Sequence, residues 1–137
     1  MENIVPKDEE FIYEDSVIIS QSDLNGNFTF VNRKFCEISA YKSDEVIGLN
    51  CNTLFHPDMP KAIFSKMFEN IKGGQTWSGV IKNLRKDGLF YWSNLEVQAI
   101  IDNSNNITGY ISVSRPASSK SVQESTELYK KMLQSEA

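Results

Sequence analysis

The segment of residues 77–92 constrains the fold most, because it has the form of a strand, a tight turn and a second strand. Val80 and Ile81 lead into Lys-Asp-Gly at residues 86–88, a hairpin-type turn in which the glycine can adopt a positive φ. Bulky side chains that favour β-structure follow at residues 89–92. The chain therefore contains a β-hairpin, and its fold must include an antiparallel sheet.

Composition and charge narrow the class of protein. The chain has 137 residues, 40% of them hydrophobic and 23% charged, which indicates one globular domain with a core. The net charge of −4 and the scattered lysines and arginines argue against nucleic-acid binding. No apolar run approaches the ~20 residues of a membrane span, and residues 1–15 lack the apolar segment of a signal peptide. We expect a cytoplasmic protein with no membrane span.

Periodicity and turn signals predict an α+β fold with a five-stranded antiparallel sheet and helices on one face, leaving a pocket between helices and sheet. The clearest helix covers residues 60–71, with Asp58 as its cap and Gly73 and Gly74 at its end. The Asn25-Gly26 pair predicts a hairpin turn between the first two strands. Expected domain boundaries are an N-terminal lead or cap at residues 1–15, the folded domain at 16–116 and a C-terminal helix at 117–137. The predicted strands are residues 17–20, 28–32, 76–84, 89–101 and 107–114.

Two motifs carry a family resemblance: the His-Pro-Asp-Met-Pro sequence at residues 56–60, and the run from Trp77 to Gly88 with Tyr91 and Trp92 after it. Together they resemble the PAS sensor family, and specifically the flavin-binding PAS domain of Aer-type aerotaxis receptors and CetB-like proteins. The resemblance spans residues 20–129. It implies a PAS fold, bound FAD, and cytoplasmic redox or energy-taxis signalling through a partner chemoreceptor or HAMP-type protein, with a PAS homodimer as a further possibility.

The cofactor-binding residues that we expect combine amides and aromatic side chains. Asn83 lies within a strand, where Asn is disfavoured, and its two donors and one acceptor suit the polar edge of an isoalloxazine ring. Asn32 occupies a flavin-site position of the resembling family, but equally suits a helix N-cap. Four aromatic residues could form the flat apolar walls of a flavin site, or could simply belong to the hydrophobic core: Phe64, Phe68, Trp77 and Trp92.

His56 is the single histidine, and three interpretations remain open. It orders the loop before Asp58, or it contacts a flavin phosphate or adenine as the resemblance implies, or it ligates haem iron. Asp58 belongs to the same motif and joins the expected binding set. Phe55 and Phe68 replace an Arg and a Trp of the family, which weakens the phosphate and adenine contacts. FAD is still favoured, with FMN or haem b as alternatives.

Cys51 lies in a run, residues 48–54, that is similar to the reactive-cysteine motif of LOV photoreceptors. Asn52, Ser93 and Ser114 depart from the LOV pattern, so a buried small hydrophobe is the simpler interpretation of the thiol. No catalytic constellation is evident, and we expect no enzymatic activity. The alternatives to the FAD sensor are a haem-binding gas or redox sensor, a ligand-free interaction module and, less favoured, a LOV-like photosensor.

Overall fold

The computed structural model describes residues 4–136, and its five strands form one antiparallel sheet with the order β2-β1-β5-β4-β3. The strands are β1 (Ile18–Ser22), β2 (Phe28–Val31), β3 (Trp77–Leu84), β4 (Phe90–Ile101) and β5 (Ile107–Pro116). The helices are α1 (Arg33–Ser39), α2 (Ser43–Val46), α3 (Lys61–Lys72) and α4 (Ser119–Glu136), with a 3₁₀ segment at Cys51–Leu54. The predicted fold class is confirmed.

The predicted hairpin joins β3 and β4. Leu84 pairs with Phe90, the Arg85 N–H donates to the Leu89 carbonyl at 2.8 Å, and Gly88 has a φ of +95°. An L side chain at position 88 would be strained at this φ, so glycine allows the tight connection. β3 and β4 are therefore held in register next to each other.

The start of α3 differs from the prediction. Asp58 does not cap the helix, because its carboxylate accepts a hydrogen bond from Lys82 Nζ at 3.0 Å. The free N–H groups of Lys61 and Ala62 instead donate to the Glu136 carboxylate at 3.3 and 3.0 Å. The end of α4 thus satisfies donors that every helix leaves open at its N-terminus.

The segment before β1 packs along the start of β4. The Phe11 N–H donates to the Phe90 carbonyl at 2.7 Å, and the Arg85 guanidinium lies 3.9 Å from the centre of the Phe11 ring. The Tyr13 and Ser93 hydroxyls form a hydrogen bond of 2.7 Å. These contacts fix the N-terminal segment against the sheet.

Helix α4 packs against β3. The buried Tyr129 donates its hydroxyl hydrogen to the Val80 carbonyl, and its ring stacks on Trp92 with centroids 6.5 Å apart. Over residues 4–136, no helix has the length and apolar character needed to cross a membrane.

Candidate functional site

A cavity lies between the sheet and the helical segments, with about 750 Å³ of empty space that includes its open mouth. The space within it that the centre of a water-sized molecule can reach is about 80 Å³. The predicted pocket between helices and sheet is therefore present. Its walls are mostly apolar and include Ile18, Phe28, Phe35, Leu54, Phe55, Met67, Phe68, Ile71, Leu95 and Val97.

Asn83 places a carboxamide at the cavity wall. It lies near the end of β3, where its backbone bridges to Phe55 on the segment that leads into α3. Within residues 4–136, no group forms a hydrogen bond with the Asn83 side chain. The amide therefore offers two donors and an acceptor to a ligand.

Of the nine residues predicted from the sequence, three line the cavity: Cys51, Phe68 and Asn83. Phe64 lies one layer behind, since its ring stacks at 4.0 Å on that of the cavity-lining Phe55. Trp77 belongs to the buried core and Trp92 stacks on Tyr129 instead of lining the cavity.

Asn32 uses its side chain within the fold. Its Oδ1 accepts a hydrogen bond from the Phe35 N–H at 2.9 Å, and its Nδ2 donates to the Val17 carbonyl at 3.0 Å. The N-cap interpretation of Asn32 is therefore confirmed. Both the oxygen and the nitrogen of the Asn32 carboxamide are hydrogen-bonded within the fold, and Asn32 does not line the cavity.

His56 is buried and lies outside the cavity lining. Its Nδ1 accepts a hydrogen bond from the Asp58 N–H at 3.0 Å. Burial and the nearby Lys82 charge lower the pKa of His56, although the Asp58 carboxylate acts in the opposite direction. Burial also opposes ionisation of Asp58, but the hydrogen bond and charge of Lys82 hold the pKa of Asp58 below its usual range. This geometry matches the loop-ordering interpretation of His56.

The Cys51 thiol lines the cavity at the start of the 3₁₀ segment. Burial raises its pKa to about 11, so the thiol is protonated at neutral pH. Gly26, with a φ of +84°, faces this thiol, and a Cβ at position 26 would lie 3.3 Å from Cys51 Sγ. The glycine therefore allows the β1–β2 turn to approach Cys51 closely.

The sequence interpretation missed a polar strip on the cavity floor. Ser20 and Ser22 on β1, and Ser112 and Ser114 on β5, all line the cavity. Their spacing of two residues within each strand places each pair on one face of the sheet. That spacing was the available signal, but serine alternating with Ile and Val ordinarily predicts a solvent-facing side.

Comparisons with known proteins agree with this architecture. The sequence profile described as PAS domain matches residues 14–115. The chain is 35% identical to the aerotaxis receptor of Escherichia coli (strain K12) over 117 residues, which cover 85% of this chain and 23% of that receptor. It is 25% identical to the nitrogen fixation regulatory protein of Klebsiella pneumoniae over 103 residues, covering 75% of this chain and 21% of that protein. The chain thus spans less than a quarter of the length of these relatives.

The fold is also similar to a solved structure, the dark structure of the blue-light photoreceptor Aureochrome1 LOV. The TM-score is 0.70 at 23% sequence identity, covering 88% of this chain and 86% of that chain. The predicted resemblance to the PAS domain of aerotaxis receptors is confirmed by the profile and the Escherichia coli relative. The chain belongs to the PAS domain family.

Proposed function

We propose that this domain is a cytoplasmic flavin-binding sensor, with FAD as its cofactor, that reports redox or energy state to a chemoreceptor-type or HAMP-type signalling partner. The observation that carries the proposal is the Asn83 carboxamide, which lies at a mostly apolar cavity without a partner in the described chain. A planar heteroaromatic ring would satisfy the amide at its edge and pack against Leu95 and Val97 on the sheet. Similarity to the aerotaxis receptor supports the same role.

The aromatic residues near the cavity favour FAD over FMN. No lysine or arginine is among the residues that line the cavity of the described chain. The phosphates of FMN and of FAD are both negatively charged, so the lack of a cation there does not distinguish the two cofactors. Phe68 and the stacked pair of Phe55 and Phe64 offer instead an apolar surface for an adenine ring.

A bound flavin would supply reversible redox chemistry, with a change of protonation and charge on its ring. The protein's part is to hold the ring edge through Asn83 and to respond when that contact changes. Tyr91 pairs with Asn83 across the β3–β4 ladder and also lines the cavity. The Tyr91 ring makes an edge contact with Tyr13, at 6.1 Å between centroids. We propose that this contact passes the signal to the N-terminal segment.

An absorption spectrum of the purified protein tests the proposal, followed by acid release of the cofactor and identification by mass. We expect flavin bands and the mass of FAD. A Soret band would favour the haem sensor, although His56 lies outside the cavity lining. A protein that stays colourless after incubation with FAD, FMN and haem would favour a ligand-free interaction module and contradict the proposal.

A LOV-like photosensor is the second candidate, because the Cys51 thiol lines the same cavity as Asn83. Ser93 and Ser114 lack the amides expected of LOV chemistry, so we expect blue light to leave the flavin bands unchanged. Illumination followed by dark recovery is the measurement, with Cys51→Ala as the matched variant. A reversible near-ultraviolet product that disappears in Cys51→Ala would favour the photosensor instead.

A further inference from the structure

A second cavity lies beneath α4, on the opposite face of the sheet from the proposed flavin site. Lys82 on β3 and Trp92 on β4 are paired across the ladder, and both line it. Their chain neighbours Asn83 and Tyr91 line the first cavity, because successive side chains of a strand point to opposite faces of a sheet. The sheet therefore separates the two cavities.

The α4 groove, as we name this second cavity, has room for a small molecule. The space that the centre of a water-sized molecule can reach is about 290 Å³ in the groove, against about 80 Å³ in the first cavity. The value for the groove is close to the lower end of the range for ligand sites in proteins, ~300 Å³. Its walls come from both α4 and the rest of the domain, and include Tyr129, Lys130 and Leu133 on one side and Met59, Lys82 and Trp92 on the other.

The charged groups of the α4 groove favour an anion. Lys82 and Lys130 both line it, and Asp58 is the one acidic residue of the described chain that does so. Asp58 Oδ2 accepts a hydrogen bond from Lys82 Nζ at 3.0 Å, so this carboxylate offsets one of the two lysine charges. The Lys82 side chain is only 15% exposed, and salt screens a partly buried charge less than an exposed one. The groove thus keeps a net positive charge.

Flat and apolar side chains form most of the remaining walls. Trp92 is half-buried, and the Tyr129 ring stacks on it with centroids 6.5 Å apart. Met59 and Leu133 add aliphatic surface. A further aromatic ring could make a stacked or edge contact with this pair. An inorganic anion would leave these walls uncovered, whereas an aromatic ring that carries a carboxylate would cover them and also reach the lysines.

We propose that the α4 groove binds a small aromatic carboxylate, with its ring on Trp92 and its carboxylate at Lys82 and Lys130. This site is separate from the flavin cavity, and the inference does not depend on the proposed function. An occupant would contact α4 and the sheet at the same time. Because it needs the docked helix for its contacts, it would stabilise that position of α4.

Titration of the full chain with phenylacetate, followed by heteronuclear NMR, tests the proposal. Two further probes separate the recognised features: acetate keeps the charge without the ring, and phenylacetamide keeps the ring without the charge. We expect saturable binding of phenylacetate, with a shift of the Trp92 indole N–H signal. Acetate and phenylacetamide should each bind at least about tenfold more weakly, since each loses one of the two kinds of contact.

Two neighbouring lysines on α4 supply a matched pair of variants. Lys130→Gln should weaken the binding of phenylacetate several-fold. Lys131→Gln should leave it unchanged, because Lys131 is also exposed on α4 but does not line the groove. Both substitutions are at exposed positions, so both proteins should fold, and their amide spectra check this.

Several results would overturn the α4 groove as a carboxylate site. They are the absence of saturable phenylacetate binding, equal binding of phenylacetamide or acetate, and equal effects of the two lysine substitutions. Shifts confined to residues such as Asn83 and Tyr91 would place the probe in the first cavity, and would also overturn it. None of these results bears on FAD binding, which is measured separately.

Discussion

Three of the buried tyrosines differ in what their hydroxyls contact. Tyr13 is bonded to Ser93, whereas the Tyr41 hydroxyl is buried without a partner within the part of the chain that the structure describes. Tyr91 lines the cavity, and burial raises its pKa above the ordinary value. Tyr13 thus holds the N-terminal segment, Tyr41 packs in the core, and Tyr91 faces the cavity.

These contacts predict that the same change, Tyr to Phe, affects stability differently at positions 13 and 41. Tyr13→Phe leaves the fully buried Ser93 hydroxyl unpaired, and should lower the free energy of unfolding by about 1–3 kcal/mol. Tyr41→Phe removes a hydroxyl that has no partner, and should leave stability unchanged or raise it. Urea unfolding of both variants is the measurement. Equal losses in the two variants would show that the Tyr13–Ser93 bond contributes little.

Asn83→Ala should weaken FAD binding by about 1–3 kcal/mol, since the ring edge would lose its amide partner. Fluorescence titration of the ligand-free protein measures the change. Asn94→Ala is the matched control, because Asn94 is exposed on β4 and should have no effect. A folded Asn83→Ala protein that retains its full cofactor content would argue against contact with the ring edge.

His56 predicts a pH dependence of stability. Its pKa in the folded protein lies below the ordinary value of 6.5, so near and below that pH the unfolded chain binds more protons than the folded one. The free energy of unfolding should therefore fall as the pH decreases from 7.5 through 6.5 towards 5.5. A His56→Gln variant should lack most of this slope, while a variant with an undiminished slope would place its origin elsewhere.

At the scale of elements, local sequence patterns predicted where strands and helices lie better than they predicted which side chains face the cavity. The predicted strand at residues 107–114 is observed as β5 at Ile107–Pro116, and the predicted helix at 60–71 as α3 at Lys61–Lys72. Alternation could not show that Ser112 and Ser114 face the cavity, because a ligand site inverts the usual preference for apolar residues inside. Nor could local sequence predict Glu136 as the cap of α3, since these groups are 75 residues apart.

The Glu136 contact leads to a prediction about the two helices that it joins. Glu136→Ala should lower the free energy of unfolding by about 0.5–1 kcal/mol, the lower part of the range for a lost N-cap, because the site is exposed. Glu127→Ala is the control, since Glu127 is also exposed on α4 but lies away from the start of α3. The melting temperatures of the two variants are compared by thermal unfolding. Similar values for both would contradict the proposed capping role of Glu136.

At the scale of the whole molecule, two groups of buried side chains meet around the cavity. One includes Phe28 and Phe35 near the first helices, and the other includes Met67 and Ile71 of α3. All four of these side chains line the cavity as well as packing in the core. A ligand in the cavity would therefore complete the packing of both groups.

FAD should consequently stabilise the entire fold. A ligand that binds only the folded state adds about 2.7 kcal/mol at a free concentration of 100 times its dissociation constant. Unfolding monitored with and without excess FAD would measure the gain. AMP, which lacks the isoalloxazine ring, is the control ligand, and an equal gain with AMP would contradict recognition of the ring by the cavity.

The two anchor points of α4 have a mechanical consequence. Tyr129 is bonded to Val80 on β3, and Glu136, seven residues later, is bonded to the first turn of α3. The intervening helix behaves as a rod roughly 10 Å long, at 1.5 Å for each residue. The spacing between β3 and the start of α3 is thus held from outside the cavity. Any movement that separates β3 from the start of α3 must therefore break one of these two contacts.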